Sequence, residues 1–158
     1  MIELGFIKGK KLNPKINDVT WLRRLCEIID PKNVIQIGLR SGDWLELEFL
    51  KSSGIKYYTS KMVQDQFKKV KGEIRKFTKN SNFYISLDVD VFDPSIAPAV
   101  DHPEPNGLLF RQFQELINFM SGRLAGMDVC CLKPIKGNQV TEFTVVRSVF
   151  EILNKLNF

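Results

Sequence analysis

Ser86-Leu87-Asp88-Val89-Asp90-Val91-Phe92-Asp93-Pro94 is the stretch from which the fold and the chemistry of this chain can be read. It runs on from Asn82–Leu87 (N-F-Y-I-S-L), a short and mostly apolar run that predicts a buried strand. Asp88 and Asp90 lie two apart, so on an extended backbone their carboxylates point the same way. Two ionised carboxylates within about 5 Å repel strongly in a half-buried place. A hard dication removes that cost, because oxygen ligands suit magnesium, calcium or manganese. Asp93-Pro94 then turns the chain, and Asp93 is placed to accept from backbone amides or to orient the ligands. Aspartates at this spacing also act as turn formers and helix caps, so spacing alone leaves both roles open. An EF-hand does not fit, since the loop follows an apolar strand and lacks a glycine at its sixth position.

Strand-like and helix-like segments alternate on both sides of this stretch. Asp18 is placed to cap a helix over 19–29, which Pro31 stops. Asn33–Leu39 (N-V-I-Q-I-G-L) predicts a buried strand, and Gly42-Asp43 opens a helix through Trp44, Leu45, Leu47 and Leu50, ended near Gly54. Ile55–Thr59 predicts a strand and Lys61–Thr78 one long amphipathic helix. A proline-rich loop spans Val89 to Leu109. Phe110–Met120 then predicts a helix, Ala125–Leu132 a strand and Gln139–Leu156 the closing helix. Repeated β-α-β order implies an α/β fold, a mainly parallel sheet with helices on both faces. Ligands of such sheets sit beyond the carboxyl ends of the strands, where Asp88 and Asp90 fall. Met1–Pro14 carries no strong element before the first helix, so sheet missing upstream is expected.

The 158 residues fit a single domain, 1–158, with 44% hydrophobic and 26% charged residues. No apolar run approaches the roughly 18 residues of a membrane span, so no membrane partner is expected. The start carries Glu3 where a secretory leader carries positive charge, and a cytoplasmic location is expected. Net charge is +5, with lysines gathered at Lys8–Lys11 and between Lys61 and Lys79. Those stretches lack the interleaved exposed aromatics of an RNA-binding surface and read as a solvated lysine-rich face, so no nucleic acid partner is expected. Three cysteines, Cys26, Cys130 and Cys131, argue for reduced thiols rather than a disulfide framework. In a strand, Cys130 and Cys131 would face opposite sides and could not grip one tetrahedral zinc together.

Ser86 to Ala99 (S-L-D-V-D-V-F-D-P-S-I-A-P-A) resembles the signature of the ureohydrolases, the arginase and agmatinase family, at every fixed position of S-x-D-x-D-x-x-D-P-x-x-A-P. Pro103-Glu104-Pro105-Asn106-Gly107-Leu108 resembles the family's P-E-P-G-G-L. Thr20–Arg24 (T-W-L-R-R) and Gln36–Ser41 resemble segments of agmatinase-like members, in the right order, and Ser41 follows the agmatinase-like pattern. The similarity runs from about Asp18 to the end.

The resemblance implies a three-layer α-β-α, arginase-like fold, truncated at its start. It also implies a pair of manganese ions that activate water for attack on the guanidinium carbon of a linear amidine such as arginine or agmatine. By residue, it makes Asp88 and Asp90 metal ligands. Asp128, in G-M-D-V, matches a buried aspartate beside the site, and Asp93 and His102 are further candidates.

This chain also departs from the family. The remaining metal ligands come from G-G-D-H and D-A-H-x-D motifs, and this chain has neither; its one histidine is His102. A proton-transfer histidine aligns with Asp18, and the glutamate that holds the guanidinium aligns with Cys131. Asp101-His102 replaces a glycine and a threonine in the loop facing the metals.

Three readings follow. The chain is half of a manganese-dependent ureohydrolase completed by an N-terminal-half chain carrying the missing His and Asp ligands. Alternatively, it is a non-catalytic remnant or a regulatory or structural subunit. In the third, His102 joins Asp88 and Asp90 in a rearranged site for one metal; His102 otherwise needs no role beyond that of an exposed loop residue. Missing upstream strands also predict homo-oligomers, since unpaired sheet edges attract partners.

Overall fold

The computed structural model describes residues 21–42 and 44–156. Asp18, Asp43 and the Met1–Pro14 stretch lie outside the described residues. Among the described residues of the helix expected over 19–29, Trp21–Leu25 (α1) is helical and buries Leu22. Turn bonds then take over, Ile28 N–H donating to Leu25 O at 2.9 Å. Asp30 caps the following 3-10 turn, Pro31–Asn33, by accepting from Lys32 N–H at 2.9 Å.

Ile35–Leu39 (β1) pairs in parallel with Lys56–Thr59 (β2), and Trp44–Ser53 (α2) makes the crossover. The register slips between Ile37 and Leu39, where Gly38 adopts φ +88°. A side chain at Gly38 would run into Val91, so glycine is required by both conformation and space. One face of this pair packs on α1 and α2 through Leu22, Val34, Leu39, Leu50 and Ile55. Ile35 and Ile37 pack against the main core, which places the pair in the middle of three layers.

The helix expected over Lys61–Thr78 is two, Ser60–Asp65 (α3) and Phe67–Thr78 (α4). They break at Gln66, whose backbone at φ −129°, ψ 35° leaves the helical region. Thr59 caps α3 by accepting from Met62 N–H at 3.1 Å. Along α4, Val70, Ile74 and Thr78 recur at helical spacing and are buried, each apolar one contributing about 1.5–3 kcal/mol. Lys71 ties α4 to the next helix through Glu115 at 2.7 Å and lies over the rings of Phe67 and Phe119.

Asn82–Asp88 (β3) pairs in parallel with Arg123–Cys130 (β4), from Asn82 opposite Arg123 to Asp88 opposite Cys130. Phe110–Phe119 (α5) lies between them in sequence and buries Phe113, Leu116 and Ile117. Val140–Leu156 (α6) closes the chain with Thr141, Val145, Ser148 and Ile152 buried. The strands therefore form two parallel pairs, β2-β1 and β3-β4, with no ladder joining them among the described residues. Helices α4 and α5 cover one face of β3-β4, while Tyr84, 60% exposed, stands on the other with Asp128. No helix among the described residues is long and apolar enough to cross a membrane.

Candidate metal centre

β3 ends at Asp88, and the backbone passes at once into a 3-10 turn, Val89–Val91. The extended geometry that would aim both carboxylates the same way thus stops before Asp90. Asp88 Oδ1 accepts from Asp90 N–H at 2.9 Å and so caps the turn. Asp90 is 1% exposed. Its Oδ1 accepts from His102 N–H at 3.5 Å, and its Oδ2 lies 3.6 Å from His102 Nδ1. The His102 ring is 61% exposed; it meets Asp90 but does not join Asp88 in one three-donor cluster among the described residues.

Asp93 holds the loop together. Its Oδ1 accepts from Ser95 N–H at 3.0 Å and Ser95 O–H at 2.6 Å, and its Oδ2 from Gly107 N–H at 3.1 Å. These bonds, led by the Ser95 hydroxyl, hold its carboxyl below the usual carboxylate range. Gly107 must be glycine, because a Cβ there would enter the backbone of Phe92 and Asp93. Further backbone bonds, Asp93 N–H to Leu108 O and Leu108 N–H to Val91 O, stitch the two ends of the loop together. Thr141 and Thr144 of α6 bond Ala99 N–H and Ile96 O, each at 2.8 Å. Asp128 stands opposite Ser86 on the exposed side of β4. There it accepts from the Ser86 hydroxyl at 2.9 Å and pairs with Tyr84, whose phenol it pushes up.

Cys130 and Cys131 do not face opposite sides. β4 ends at Cys130, and Cys131 takes φ +65°, a left-handed turn that breaks strand alternation. A carboxylate oxygen of Asp88 and the sulfurs of Cys130 and Cys131 consequently all lie within 4.8 Å of one another. Burial, then the Asp88 carboxylate, pushes both thiols up, and the Cys131 thiol is hydrogen-bonded to Asp88.

Residues that sequence reasoning missed frame the site. Arg40, just past β1, donates to the carbonyls of Asp90 and Val91, the latter at 3.0 Å. A basic residue at the carboxyl end of a buried strand was the signal for it. Beside Asp88, a cavity of about 160 Å³ is bounded by Ile35, Gln36 and Ile37 of β1 and by Tyr84, Ser86 and Asp88 of β3. Among the described residues, neither of these strands has a second partner. A larger depression of about 750 Å³ lies at the opposite ends of β3 and β4, around Ser81 and Arg123.

Carboxylates at a strand terminus, over parallel strands and under a pinned loop, place the chain among α/β proteins that work at the carboxyl ends of their strands. Its family is more definite: the arginase family model matches residues 9–154, and the chain belongs to that family. It is 36% identical over 116 residues to an uncharacterised 32.2 kDa protein of Methanothermus fervidus, covering 73% of this chain and 40% of that one. To human arginase-1 it is 33% identical over 146 residues, covering 85% of this chain and 44% of the relative. The agmatine ureohydrolase of Thermoplasma volcanium superposes with TM-score 0.79 at 26% identity, over 90% of this chain and 48% of that one. The chain thus spans less than half the length of these relatives.

The donors present can be weighed against the manganese that the family implies. The oxygens of Asp88 and Asp90 are the type a hard dication takes. They fit as part of such a set, while the sulfurs beside Asp88 suit a softer ion.

Proposed function

We propose that this chain supplies the C-terminal part of a manganese-dependent ureohydrolase centre, completed by a partner chain that brings the G-G-D-H and D-A-H-x-D ligands. The reaction is hydrolysis of a guanidino C–N bond in a linear amidine such as agmatine or arginine. One observation carries the reading: the edge of β1 away from β2 and the edge of β3 away from β4 border a cavity beside Asp88, and no strand pairs with those two edges among the described residues. That gap is what a chain spanning less than half of its relatives leaves when a strand between β1 and β3 comes from elsewhere.

In the completed site Asp88 and Asp90 hold the metal, Arg40 fixes the turn that carries Asp90, and Asp93 fixes the loop above them. When bound, the ions polarise the substrate and lower the pKa of water. The second reading, a non-catalytic subunit of the same fold, draws on Cys131. The resemblance aligns Cys131, whose thiol burial pushes up, with the glutamate by which the family holds the substrate cation. Losing such a charge-assisted hydrogen bond costs on the order of 1.5–3 kcal/mol.

Manganese titration, followed by the paramagnetic resonance of the unbound ion, tests the proposal. Weak uptake by the chain alone and tight uptake after mixing with a chain bearing both motifs supports it. Uptake unchanged by that partner, or by Asp88→Asn in the mixture, contradicts it.

A further inference from the structure

We propose that Asp88, Cys130 and Cys131 form a zinc site of this chain's own, in which one carboxylate oxygen and two thiolate sulfurs hold the ion and leave a fourth position to water. The proposal does not rest on the ureohydrolase reading. It stands on three side chains that two parallel strand ends bring together, since Asp88 and Cys130 are register partners at the ends of β3 and β4. The left-handed turn at Cys131 then returns the second sulfur to the same side. All three donor atoms lie within 4.8 Å of one another. Tetrahedral zinc with sulfur ligands at about 2.3 Å places those sulfurs about 3.8 Å apart, so modest side-chain rotations close the set. Sulfur together with carboxylate oxygen is a donor set that zinc accepts and that manganese, preferring oxygen alone, does not favour.

Access suits an ion as well. Cys130 is exposed and Cys131 half-buried, while Asp88 supplies a buried anion at the base. Binding releases the two thiol protons to solvent and leaves a site of net charge −1 around the dication.

Cobalt titration of the reduced chain reads this out without any activity assay, because thiolate bonded to cobalt absorbs in the near-ultraviolet. The wild-type chain is expected to give that band at one ion per chain and to lose it when zinc is added. Cys130→Ser and Cys131→Ser each lose the band, and Asp88→Asn weakens it, while Cys26→Ser keeps it. Far-ultraviolet circular dichroism checks that each variant remains folded. A wild-type chain with no band overturns the proposal. So does a band that survives in the folded Cys131→Ser chain, or one that depends on Cys26.

Discussion

Arg40 reaches from the end of β1 to the carbonyl of Val91 at 3.0 Å, so the first strand pair grips the turn that carries Asp90. No backbone ladder joins the two strand pairs among the described residues, and this guanidinium ties them by side chain to backbone. Hydrogen bonds from a charged donor contribute about 1.5–3 kcal/mol. Arg40→Met is expected to lower unfolding free energy by that amount in a urea titration. A midpoint equal to that of wild type would show that the tie is not needed.

Asp93 predicts a pH dependence. Its folded carboxyl sits below its ordinary value, so between the two the unfolded chain binds more protons than the folded one. The stability it provides is fully present above the unfolded value of about 3.9 and is lost as pH falls through the folded value. The stability gap between wild type and Asp93→Asn is therefore expected to hold steady above about pH 5 and to shrink below about pH 4. A gap that stays constant on acidification contradicts the assignment.

Phe92 anchors the loop from inside. It is almost fully buried, and its ring meets Phe113 edge-on with centroids 5.2 Å apart. Phe92→Ala is expected to cost about 3–5 kcal/mol in chemical denaturation. A cost below about 1 kcal/mol would mean that the loop does not depend on this core for its position.

Helix α6 predicts assembly. Val140, Phe143, Val146 and Phe150 follow one another along it and are exposed, Phe143 by 68% and Phe150 by 56%. Exposed apolar patches of this kind mark interaction surfaces. Size-exclusion chromatography is expected to give dimers or larger species, and Phe143→Glu with Phe150→Glu to shift them toward monomer. A compact wild-type monomer at high concentration would refute this.

Most elements were legible because their signals are local. The apolar run at Ile35–Leu39 and the helical spacing at Phe110–Phe119 need no tertiary context. Gln66 breaks a helix without being a helix breaker, so the division of α3 from α4 carried no residue signal. The end of β3 was legible to within one residue, Leu87 against Asp88, whereas the end of β4 at Cys130 carried no signal. Strand alternation does not extend to Asp90, which lies in a 3-10 turn, or to Cys131, whose left-handed backbone brings its sulfur to the side of Cys130. The separation of β1 from β3 is a long-range pairing outcome that no local pattern encodes.

Urea release with manganese, assayed with agmatine and with arginine, tests the central claim most directly. The account predicts none from this chain alone. It predicts urea when the chain is combined with a partner carrying the two histidine motifs, and loss of that urea in Asp88→Asn or Asp90→Asn. Urea from the isolated chain, or urea from the mixture that survives both substitutions, would contradict it.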